Sequence, residues 1–164
     1  MPDLLAHTLF AYGLGTILST RIDWLSPQYI TLAMIGAVLP DLNHLSMILP
    51  SRAIETTLGI PFDWGALQTG GPVLVLVLIG TVLAKDDRPG VFGLLSLGAV
   101  SHLIADALIT LADGRSQSVF WPLTRYQPPS PGLYLSTDLG PLIGAALFAG
   151  LSILVARTSP FGNE

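Results

Sequence analysis

The chain has 164 residues, of which 51% are hydrophobic and 11% charged, with a net charge of −4 and a mean hydropathy of +0.64. A soluble domain carries roughly 25% charged residues, so this composition excludes a water-soluble globule, and its apolar content excludes a disordered chain. Seven scattered basic residues exclude the basic face of a nucleic-acid binder and a polybasic lipid anchor, and the absence of cysteine excludes disulfides, iron–sulfur clusters and thiolate metal sites.

What remains is an integral membrane protein: one all-α domain over residues 1–164, a multi-spanning transmembrane helical bundle of four to five membrane helices. Five apolar stretches are predicted, over residues 4–19, 28–49, 71–84, 90–112 and 139–156. The first lacks the positive flank and small-residue cleavage site of a signal peptide, so it is expected to be retained as a membrane helix. The second, fourth and fifth reach spanning length; the first is marginal and the third, from Gly71 to Ala84, is short.

The connections are Arg21–Pro27, Pro50–Gly70, the charged turn Lys85–Gly90, and the longest loop, Asp113–Thr137, rich in proline and aromatic residues that suit a membrane interface. Asp138 precedes the last apolar run as a candidate helix cap. Gly13, Gly15, Gly93, Gly98, Gly140 and Gly144 are candidate points of close helix packing. The tail after Arg157 is expected to fray. With five spans, Arg52, Arg115 and Arg125 face Arg21, Lys85, Arg88 and Arg157, a balance that assigns no orientation.

Of the charged residues, only Asp41 and Asp106 fall inside apolar stretches, and all three histidines, His7, His44 and His102, lie in or at the edge of them. Hydrocarbon does not solvate such groups, so their presence points to function. No Lys or Arg accompanies the carboxylates, so either a proton or a cation supplies the missing charge. Asp41 and His44 stand at i and i+3, His102 and Asp106 at i and i+4, each pair on one helix face. Tracing five spans brings all five residues into the half of the bundle on the N-terminal side, each within roughly 5–15 Å of that surface. The second and fourth loops lie on the same face.

Three imidazoles and two carboxylates suit a divalent metal, zinc for hydrolysis, with manganese or iron as alternatives. A metal-bound hydroxide would then be the nucleophile. A proton or ion pathway using Asp41 and Asp106 is the other chemistry open to these residues, although no internal repeat of the transporter kind is visible.

The segment Leu39-Pro40-Asp41-Leu42-Asn43-His44 resembles the LPD-x-DH signature of the LexA-regulated, membrane-bound metal-dependent hydrolase family. His102-Leu103-Ile104-Ala105-Asp106, followed by Gly114 and Trp121-Pro122-Leu123, resembles that family's H-x-x-x-D, glycine and WP elements, and His7 matches its early histidine. The H-x-x-x-D segment is also similar to part of the metal site of zinc-dependent phospholipases C. The resemblance implies a hydrolase acting on a lipid-accessible ester or phosphoester. It implies His7, Asp41, His44, His102 and Asp106 as metal ligands, Asp41, His102 and Asp106 as the catalytic core, and membrane lipid as the partner. Asn43 stands where the family has Asp, and Gln68 where it has His. These two residues, with Trp121, become outer-shell or substrate contacts, and their departure opens a second reading: an impaired member whose metal is structural.

Overall fold

The computed structural model describes residues 2–109 and 114–158, which are helical apart from their connections. The helices are α1 (Pro2–Ser19), α2 (Pro27–Val38), α3 (Ser51–Leu58), α4 (Gly70–Leu83), α5 (Arg88–Ala107) and α6 (Gly140–Thr158), with 3₁₀ segments at Pro40–Met47 and Trp64–Gln68. The predicted stretch over residues 110–112, the loop residue Asp113 and the tail after Thr158 lie outside the described residues.

Two helices, α5 with 20 residues and α6 with 19, are long and apolar enough to cross a membrane, and α2 with its bent continuation makes a third if the pair is one span. This is fewer than the four or five predicted. Helix α4 has 14 residues, roughly 21 Å at 1.5 Å per residue, against a hydrocarbon core of about 30 Å; α1 is apolar but also shorter than a full span.

The predicted second span, 28–49, is not one helix. Pro27 starts α2 at a position where its missing N–H costs nothing. Pro40 then ends it, because proline has no N–H to donate to Gly36 and its ring crowds that carbonyl. The chain continues as the 3₁₀ segment, bent by 56° from α2. At Lys85–Gly90 the predicted boundary holds: α4 ends at Leu83, and Asp87, at φ 46°, accepts a hydrogen bond from the Gly90 N–H and caps α5.

Two apolar clusters form the core. Ala11, Ile30, Ala33, Ala37 and Leu94 join α1, α2 and α5. Val73, Val77, Val91, Leu95, Ala99 and Leu103 join α4 to α5. Helix α6 packs on α1 and leaves most of its apolar surface facing outward, including Leu147, Leu151 and Leu154.

The candidate glycines divide. A Cβ on Gly98 would collide with the backbone of Ala33 and Ala37, and one on Gly36 with the backbone of Leu95, so α2 and α5 meet backbone to backbone. Gly13 packs under Phe148 and Gly15 under Ile30, whereas Gly93, Gly140 and Gly144 face open space. Asp138 accepts from the backbone N–H of Leu135 and shapes the turn before α6. The long connection folds back on the bundle: the N–H groups of Gly70 and Gly71, unpaired within α4, donate to the carbonyls of Val119 and Trp121 at 2.7 and 2.8 Å.

Candidate metal centre

The close approach of α2 and α5 sets one side of the site. His102, one turn after Gly98, is fully buried, and its Nδ1 lies 2.7 Å from the Ala37 carbonyl. A carbonyl oxygen only accepts, so Nδ1 carries the proton and Nε2 faces the site. Nε2 is 3.2 Å from Asp106 Oδ2 and 3.8 Å from Asp41 Oδ1. The spacing of four residues along α5 brings His102 and Asp106 to one face.

Helix α1 supplies the third member. His7 is buried, stacks on the His102 ring at a centroid distance of 3.8 Å, and sets Nε2 3.2 Å from Asp106 Oδ1. Asp106 therefore presents one oxygen to each imidazole. Ligand atoms of His7, His102 and Asp106 all lie within 4.8 Å of one another.

Asp41 sits at the edge of this trio. The 3₁₀ segment repeats every three residues, which stacks Asp41 under His44. His44 Nδ1 lies 3.0 Å from the Asp41 backbone carbonyl and 3.5 Å from its Oδ1. Three of the five expected ligands thus converge; Asp41 adjoins them through His102, and His44 contacts Asp41. Asn43 Oδ1 is buried without a hydrogen-bond partner. Gln68 Oε1 accepts from Gln117 Nε2 at 3.3 Å, which ties the second loop to the fourth, the two loops predicted to share a face. The Trp121 side chain lines a separate cleft with Glu55, Asp63 and Arg125.

The donor set fits a cation on four counts. With Nδ1 protonated, the Nε2 lone pair of a neutral His102 would point at two carboxylates, an arrangement that calls for a proton or a cation between them. The ion-pair partners of Asp41 and Asp106 among the described residues are imidazoles. Asp41 Oδ2 is buried with no partner, and an unpaired buried carboxylate oxygen is costly. Two ligands each about 2 Å from one ion stand no more than about 4 Å apart; both His–Asp106 separations, 3.2 Å, fall inside that limit, while the trio as a whole is held to within 4.8 Å, so one ion would draw its ligand atoms slightly together.

Sequence reasoning missed the Ala37 carbonyl, which fixes the His102 tautomer, and Tyr134, whose hydroxyl donates to the Ala105 carbonyl at 2.6 Å beside Asp106. The first has no side-chain signature; the second was visible only as one aromatic among several in a loop. No family model, curated protein or solved structure matches the chain.

Proposed function

We propose that this chain is a multi-pass membrane protein and a metal-dependent hydrolase of a lipid-accessible ester or phosphoester. The observation that carries the reading is the convergence of His7, His102 and Asp106, with His102 oriented through its Nδ1–H. The LPD-x-DH-like and H-x-x-x-D segments support it, because the residues that carry the resemblance supply the trio and Asp41. Zinc suits two imidazoles and one carboxylate, the ligand set of several hydrolytic centres.

His7, His102 and Asp106 would hold the cation. When bound, it supplies Lewis acidity to a water molecule and to the substrate oxygen. Asp41 Oδ2, which has no other partner, accepts the proton of the attacking water. The water oxygen bonds to the acyl carbon or the phosphorus, the alcohol oxygen departs, and the proton held by Asp41 passes to it.

Metal analysis of detergent-purified protein tests the reading. Wild type is expected to carry a stoichiometric divalent cation that His102→Ala with Asp106→Ala abolishes, together with turnover on ester and phosphoester lipids. A trace metal content unchanged by the double substitution would refute it. One observation favours a structural role for the same ion: the trio joins α1 to α5, and His102 joins α5 to α2. That reading expects bound metal and chelator-sensitive melting without turnover on any lipid.

A further inference from the structure

Helices α5 and α6 both pack on α1 but, among the described residues, form no substantial contact with each other. The gap between them is a cavity of about 380 Å³, within the range of small-ligand pockets. Its walls are apolar: Phe10 of α1, Ile104 of α5 and Leu108 just beyond it, Ala145 and Phe148 of α6. Phe10 and Phe148 close one side, with ring centroids 5.1 Å apart.

Three lining residues carry polar side chains. Ser101 Oγ donates to the Gly98 carbonyl and the Tyr134 hydroxyl to the Ala105 carbonyl, so both protons are satisfied within the protein. The third is His7, whose Nε2 is 3.2 Å from Asp106. The cavity is thus an apolar slot lined by one imidazole that also belongs to the His–Asp cluster. Its mouth is lateral. Gly144 and Ile104, which line it, are exposed on the outer surface of the two membrane-length helices, and Ile104 is 59% exposed. The slot therefore opens between α5 and α6, with Tyr134 of the long connection also on its lining.

We infer that this slot receives one acyl chain of a membrane lipid, entering between α5 and α6 with its head-group linkage at His7. That the linkage is then cleaved rests on the hydrolase reading; that the chain occupies the slot does not. The apolar walls, the opening between α5 and α6 and the one imidazole on the lining suit a molecule with a long apolar tail joined to a polar group.

The test is photolabelling in nanodiscs with a palmitoyl phospholipid carrying a diazirine on the acyl chain. Gly144 offers a clean blocking site, because a Cβ there meets nothing within 4 Å, and the same holds for Gly150 on the same helix, which does not line the slot. In wild type, adducts are expected on Phe10, Ile104 and Phe148. Gly144→Phe is expected to reduce them severalfold, and Gly150→Phe to leave them unchanged, with equal metal content in all three proteins. Adducts spread evenly over the outer face of α6, at Leu147 and Leu151, and insensitive to Gly144→Phe would overturn the proposal, as would copy-to-copy crosslinks through the slot. Slot adducts in a protein with no metal and no turnover would uphold the acyl site and remove the hydrolase reading.

Discussion

Gly98→Ala changes one methyl group and reaches the centre of the site. A Cβ at this position overlaps the Ala33 carbonyl and comes within 2.6 Å of the Ala37 nitrogen. Both are backbone atoms of α2, so no side chain can rotate away and the two helices must separate. Overpacking of this kind costs about 1–3 kcal/mol, and rigid backbone on both sides puts it at the upper end, about 3 kcal/mol. The same separation stretches the 2.7 Å bond from His102 Nδ1 to the Ala37 carbonyl, worth about 1 kcal/mol. Against these stands the better helix propensity of alanine, about 1 kcal/mol. The net expectation is a loss of about 3 kcal/mol and reduced metal occupancy. Gly93→Ala provides the control. It lies on the same helix, its Cβ meets nothing within 4 Å, and only the propensity gain remains. Thermal unfolding in detergent, followed by tryptophan fluorescence and paired with metal analysis, reads both. Equal melting temperatures and metal contents for the two variants would refute the backbone-contact account of how His102 is oriented.

Asp41→Asn is expected to retain bound metal, because Asp41 lies outside the trio, while turnover on any lipid substrate falls at least as far as loss of a general base implies, about 100-fold; loss of the metal instead would place Asp41 among the ligands. Asp87→Ala is expected to destabilise by about 2 kcal/mol in chemical or thermal unfolding, from the lost cap on α5 and the left-handed backbone at φ 46°. Asp87→Gly should recover much of that loss, since glycine adopts positive φ freely. Tyr134→Phe removes the bond to the Ala105 carbonyl and should cost about 1 kcal/mol, with metal content unchanged. Chelator treatment of wild type should lower the melting temperature, and that shift should be absent in His7→Ala with Asp106→Asn.

The apolar segmentation was legible because hydropathy alone marks it: the predicted stretches 71–84 and 139–156 differ from α4 and α6 by no more than two residues at either end. The break at Pro40 was present in the sequence, but the apolar residues on both sides of it read as one run. Only the helical ladder shows that a proline here turns the chain and carries Asp41 away from the axis of α2. The pairing of His102 with Asp106 followed from their spacing. The pairing of His7 with Asp106 did not, since it depends on how α1 lies against α5, and a sequence gives no crossing geometry. Gly93 and Gly98 look alike in the sequence, yet one faces open space and the other faces backbone; the difference is which side of α5 meets α2. His44 was placed correctly beside Asp41, but a 3₁₀ turn directs its Nδ1 to the Asp41 carbonyl, which no helical wheel anticipates.

The arrangement makes the packing of the bundle and the proposed chemistry depend on the same few atoms. Asp106 holds His7 through one oxygen and His102 through the other, and those contacts join α1 to α5. A substitution in the trio therefore alters packing and ligand set together, and a loss of activity there does not separate a catalytic ion from a structural one. Asp41 does separate them. Its Oδ1 lies 3.5 Å from His44 Nδ1 and 3.8 Å from His102 Nε2, and its Oδ2 has no partner to lose, so Asp41→Asn removes the proposed base while changing few contacts of the fold. An Asp41→Asn protein that melts like wild type, keeps its metal and loses turnover requires chemistry at that carboxylate. One that melts like wild type and matches wild type in showing no turnover leaves the ion as a tie between helices.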